Sequence, residues 1–232
     1  MKFYVIIIFI KQFKGEFVYE KIKHFLSIAL FSILTLIFIK NVNADVVVIT
    51  VKRPNHIGHT SIISQDKKGK WFYFYWGDEV AYAAEVPGKY MKNIDTLNEW
   101  FFINRKSFEK SSRFYAYGTY IKGDFTKSTE YYNDVVKNYK IWKYNFLFNN
   151  CSTVSNRALE KGILLNGKPF KSQIKYKLKE YIPFWSIFPH NYRKIIERNF
   201  VGTEHHAFPD WGKVTDKKIL SLIDGTYKSS KK

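Results

Sequence analysis

Only one cysteine, Cys151, occurs in the 232 residues, so no disulfide can form within the chain. Internal repeats and low-complexity segments are absent. Acidic residues are scarce: 20 Asp and Glu stand against 38 Lys and Arg, a formal charge of +18. The first 44 residues hold 6 basic and 2 acidic side chains, which leaves 32 against 18, or +14, in the rest. Such a body suits an anionic surface (phospholipid head groups, cell-wall polymer or nucleic acid), or the charge serves solubility alone. The apolar run from Phe25 to Ile39 has 15 residues, short for a membrane span.

What is present is a chain that can build a core. Hydrophobic residues make up 46%, which excludes a disordered protein. Lys21 and Lys23 precede the apolar run, and Val42-Asn43-Ala44 offers small residues behind it. That order is a secretory signal, with cleavage expected after Ala44. The competing expectation is a retained anchor. Residues 1–44 are therefore read as signal or anchor, and 45–232 as one periplasmic or otherwise extracytoplasmic domain.

In that domain Asp45–Val51 reads as a buried strand, and His59–Ser64 as a second. Gln65–Lys70 is a turn in which Gly69 can take positive φ. Trp71–Gly77 is a third strand, dense in aromatics, and Ser112–Tyr120 a further one. A capping-box pattern at Thr96–Glu99 predicts a short helix starting there. Tyr131, Val135 and Tyr139 form a helical stripe after Thr126 or Ser128. Two more helices are expected near Tyr192–Asn199 and Asp216–Ile223, with Pro183, Pro189 and Pro209 breaking the chain between them. The class is α+β: a small antiparallel sheet with packed helices.

Cys151 lies in "YNFLFNNCSTVSNRALEKG". Val154, Ala158 and Leu159 fall on one helix face, while Asn149, Asn150 and Ser152 are good N-cap types. A thiol at a helix N-terminus has its pKa lowered by the dipole and by free N–H groups, which can also hold an oxyanion. The competing reading is a small buried core residue. A nucleophilic cysteine needs a base, most often histidine. His56 and His59 lie in "PNHIGHTSII", and Gly58 lets the backbone approach another element closely. Alternation puts His59 and Ser61 on one face of the strand and Thr60 and Ile62 on the other. Closing the Asp66–Gly69 turn sets His59 beside Tyr75 to Asp78. Asp78 is then the charged candidate to orient the base, with Glu79 or Tyr75 behind it, although a residue after Gly77 also suits a plain turn. His205 and His206 could bind a metal with Glu204, but adjacent histidines splay apart, and no metal or other cofactor is expected.

Taken together, "IGHTSIIS" and the later "YNFLFNNCSTVSNRAL" resemble the Lnb N-terminal periplasmic domain family, over roughly Asp45 to Gly162. More distantly, the His-first, Cys-later order is similar to that of permuted papain-like folds, including NlpC-like peptidases. The resemblance implies a permuted papain-like (NlpC-like) fold with Cys151 as nucleophile and His59 as base. Asn150 and Thr153 match motif positions, and with Asn149 they are candidates for oxyanion or substrate contacts. The family often carries Arg and Asp directly after its Cys-[ST]-Thr run; here Val154 and Ser155 follow, then Asn156 and Arg157. The implied activity is a cysteine-dependent acyltransferase or hydrolase working through an acyl-thioester on membrane lipid or lipoprotein. A peptidoglycan stem-peptide amidase and a non-catalytic exported binding protein are the alternatives. Export and the lack of a recognition motif argue against nucleic acid.

Overall fold

The computed structural model describes residues 23–27, 44–52, 58–108, 115–146, 148–176, 188–200, 211–212 and 214–224. The chain divides into two units, Met1–Asn41 and Val42–Lys232. In the first, residues 23–27 are helical. Most of the apolar run Phe25–Ile39 lies outside the described residues, as do His56, Glu204, His205, His206, Pro183 and Pro209. No helix among the described residues is long and apolar enough to cross a membrane.

The second unit is α+β. Five strands, β1 (Val46–Lys52), β2 (His59–Gln65), β3 (Trp71–Trp76), β4 (Ala81–Val86) and β5 (Tyr115–Ile121), form an antiparallel sheet in the order β4-β3-β2-β1-β5. The first three come from β-branched and aromatic runs. The turn between β2 and β3 closes as expected: Gly69 sits at φ +77, and the Asp66 carboxylate accepts from Lys68 and Lys70 N–H.

Alternation gives the sheet two apolar faces. Val46, Val48, Ile62, Phe74 and Trp76 pack under α2 (Thr126–Lys137), α4 (Cys151–Leu159) and α6 (Pro189–Phe200). Val47, Ile49, Ile63, Trp71 and Tyr73 pack under α1 (Ile94–Phe108) and α7 (Lys217–Asp224). One-turn helices α3 (Tyr139–Trp142) and α5 (Phe170–Gln173) join the larger ones. A separate two-stranded ribbon pairs β6 (Gly123–Asp124) with β7 (Ile163–Leu164).

Several boundaries differ from expectation for local reasons. α1 starts at Ile94 because Asn93 is the cap: its side chain accepts from Thr96 N–H while Thr96 Oγ1 accepts from Asn93 N–H. Thr96 is thus the third helical residue, and the helix has 15 residues. The buried stripe of α2 is Ser128, Thr129, Tyr132 and Val135, and Tyr139 begins a separate turn. Pro189 does not break the chain. It opens α6, where its fixed φ suits a first turn.

The folded unit reaches back past the expected cleavage point. Ala44 is fully buried, and its carbonyl accepts from Phe125 N–H at 2.8 Å. Asp45 N–H donates to Gln65 Oε1, while the Asp45 carboxylate takes the Tyr120 hydroxyl and Gly123 N–H.

Candidate active site

Asn150 makes the start of α4. Its Oδ1 accepts from Ser152 N–H at 2.9 Å and Thr153 N–H at 3.0 Å, which satisfies two donors the helix cannot pair. Its Nδ2 donates to the Phe146 carbonyl at 2.7 Å, so the cap is fixed from both ends. Cys151 follows as the first helical residue, 6% exposed. The helix is anchored to β2 by the Ser152 hydroxyl, which donates to Thr60 Oγ1 at 3.0 Å across 92 residues of sequence.

The loop ahead of Cys151 is held by a second asparagine. Asn149 Nδ2 donates to the Trp142 carbonyl and to the Lys143 carbonyl, and its Oδ1 accepts from Arg157. Its own carbonyl accepts the Trp76 indole N–H at 2.8 Å. Sequence reasoning missed Trp76 and Arg157 as members of the site. The signal was present for Arg157: it falls on the turn of α4 that faces back to the capping loop.

His59 opens β2, buried, with its ring stacked on Tyr75 at 4.5 Å between centroids and 24° between planes. The β2–β3 pairing runs Ile62 with Phe74 and Ile63 with Tyr73. Continued to the strand ends, it sets His59 opposite Gly77, inside the expected window. Gly58 ahead of it has φ +84, and a Cβ there would lie 2.5 Å from the Val51 carbonyl oxygen. Glycine therefore permits the close approach that places His59.

A pocket of about 110 Å³ gathers Cys151, His59, Asp78 and Asn150, with Tyr144 and Phe146 on its wall. Residues far apart in sequence meet at the end of the sheet where β3 stops. Thr60 shares the face that carries α4; His59 shares the parity of Ser61 and Tyr75. The two candidate catalytic groups thus open on one pocket from either side of the strand end. Asp78 is exposed, and the Tyr139 hydroxyl donates to its carbonyl, which fixes the turn. His59 makes its stacked ring contact with Tyr75, which stood behind Asp78 as a candidate in the sequence. Asn149 and Thr153 are not on the pocket wall. Asn149 braces the loop, while the Thr153 hydroxyl donates to the Asn150 carbonyl at 3.0 Å.

The electrostatics correct one expectation. Burial pushes the Cys151 thiol up, against the opposing pull of Thr60 N–H, of Ser152 and of its own N–H. The helix terminus does favour the thiolate, but desolvation outweighs it. The resting thiol is therefore neutral near pH 7. Tyr144 is pushed up to about 12, by burial first, then by Cys151 once that thiol ionises and by the Asp78 charge, so it lines the pocket as a neutral phenol. No group of His, Cys, Asp and Glu able to hold a metal occurs among the described residues.

Compared with known proteins, the chain matches no family model, no curated sequence and no solved structure.

Proposed function

We propose that this chain is an exported cysteine acyltransferase or hydrolase of permuted papain-like fold, related to the Lnb-type periplasmic domains, acting on lipid or lipoprotein acyl groups. The observation that carries the reading is the convergence of Cys151, on a capped helix N-terminus, with His59 and Asp78 on one pocket. The neutral thiol sets the order of events. His59 takes the Cys151 proton as the sulfur attacks the acyl carbon, so a thiolate is formed only in the step that uses it. The S–C bond forms, the developing oxyanion faces the N–H groups at the head of α4, and the leaving group departs with the proton from His59. Water or an amine then attacks the thioester, His59 takes its proton, and the thiol is restored. Asp78, on the same pocket wall, is the carboxylate proposed to orient His59.

The test is intact-protein mass spectrometry after incubation with phospholipid vesicles, and separately with muropeptides. An acyl adduct on Cys151 from lipid, absent in Cys151→Ala, is expected. His59→Ala should slow turnover by roughly two orders of magnitude or more. An adduct from muropeptides alone would move the substrate to cell wall. Neither adduct nor turnover would leave the second reading, a binding protein with a degenerate site, which the burial of the thiol favours.

A further inference from the structure

Four large apolar side chains of the second unit stay exposed on segments that neighbour the Cys151 pocket, and of these Phe146 also packs its ring edge on Phe188. Val80 is 48% exposed, Ile141 80%, Phe146 43% and Phe148 67%. Single exposed apolar residues are ordinary, but several on segments tied to one pocket wall point to an interaction surface. The three segments that carry them are tied together. Phe146 is on the wall of the Cys151 pocket, and Phe148 follows it in the loop closed by the Asn145–Asn149 bridge. Arg157 holds the Phe148 carbonyl. Ile141 rides on α3, whose Tyr139 hydroxyl donates to the Gly77 and Asp78 carbonyls. Gly77 N–H in turn donates to the Val80 carbonyl.

The outward direction is built in. Tyr139 packs on Trp76 and Trp142 on Tyr131, so the inner side of α3 is already filled and Ile141 is left facing solvent. Lys143 then takes φ +37, a costly value for a residue with a side chain, and turns the chain into the loop. Lys137, Lys140 and Lys143 are exposed along this stretch, against the exposed carboxylates Asp78 and Glu79 on the neighbouring turn.

We propose that Val80, Ile141, Phe146 and Phe148, with Lys140 and Lys143 beside them, enter the head-group layer of an anionic phospholipid bilayer and seat the pocket mouth on it. The inference rests on the acyl-transfer reading and names the surface from which the substrate is taken. Apolar tips flanked by lysines fit that layer: the tips leave water, and the ammonium groups meet lipid phosphates. The charge of +18 works in the same direction.

The experiment uses the full chain carrying Cys151→Ser and a single nitroxide label at Phe148→Cys. The protein is reconstituted into phosphatidylcholine vesicles with and without phosphatidylglycerol. A matched label at Leu165→Cys, on an exposed apolar residue away from the pocket wall, is the control. Collision of the Phe148 label with a water-soluble nickel chelate should fall several-fold in the anionic vesicles, and the Leu165 label should stay accessible. Lys140→Glu with Lys143→Glu should restore access at position 148. Equal access in both vesicle types, equal shielding at Leu165, or shielding that survives the charge reversal would each overturn the proposal. An Ile141→Cys label gives an independent reading of the same rim. The Cys151→Ser background performs no chemistry, so docking and acyl transfer can fail separately.

Discussion

The sulfur of Cys151 is pulled two ways: three backbone N–H groups favour the anion, and burial disfavours it more strongly. Of the groups that favour the anion, Cys151 and Ser152 were legible in Asn-Cys-Ser-Thr, because N-cap chemistry is local, and the Thr60 N–H on β2 was not. The burial was not legible either, because α4 is seated on β2 by contacts such as Ser152 with Thr60, 92 residues apart in sequence. Iodoacetamide should accordingly modify the folded protein more slowly near neutral pH than the denatured chain, as mass spectrometry of quenched time points would measure. The pH dependence has a definite sign. The folded thiol ionises at a higher pH than the unfolded one, so above about 8.5 the unfolded chain loses its proton first and gains stability relative to the fold. Faster labelling of the folded protein would show that desolvation does not dominate here. Of the candidate site, Cys151 and His59 could be picked from the sequence and line one pocket, while the braces could not be picked. Asn149 looks like a ligand contact in sequence, but its amide is spent on the Trp142 and Lys143 carbonyls.

Strand β2 carries both partners of the site in consecutive residues, His59 for the pocket and Thr60 for α4. Its start depends on Gly58, where both the positive φ and the 2.5 Å approach to Val51 exclude a side chain. Gly58→Ala should cost on the order of 1–3 kcal/mol and lower activity along with stability, measured by denaturant unfolding and turnover on one preparation. Loss of neither would mean that β1 and β2 can part there freely. Strands β1 to β3 could be read because their apolar runs are rich in Val, Ile and aromatics. β4 could not: Ala81–Glu85 has no β-branched residue, and its state is set by pairing with β3, from Trp71 with Val86 to Trp76 with Ala81. The start of α1 was misplaced because Asn93, three residues upstream of Thr96, supplies the cap.

At the scale of the molecule the sheet is covered on both faces, and tyrosines are packed into both layers, Tyr82 and Tyr120 from the strands and Tyr132 and Tyr192 from the helices. Burial raises the phenols of Tyr82, Tyr120, Tyr132 and Tyr192 well above their ordinary value; beside Tyr120 the Asp45 charge adds to it. These groups stay neutral in the fold while their unfolded counterparts ionise near pH 10. The unfolded chain then binds fewer protons, so stability should fall steeply as pH rises past about 10, read as the denaturant midpoint against pH. A flat midpoint across that range would mean that the phenols reach water in the fold. The α+β class was legible from the spacing of strands and helices. The two-sided cover was not, because which helix takes which face is decided by contacts between distant segments. One end of this packing bears on timing. Ala44 is enclosed, and Asp45 is bound by Gln65, Tyr120 and Gly123, so the peptide bond between residues 44 and 45 closes when the sheet closes. A peptidase that cuts there must arrive while the chain is still emerging. If the chain is cut at that bond, the cut races with folding, and a substitution that speeds folding would then lengthen the life of the uncut chain.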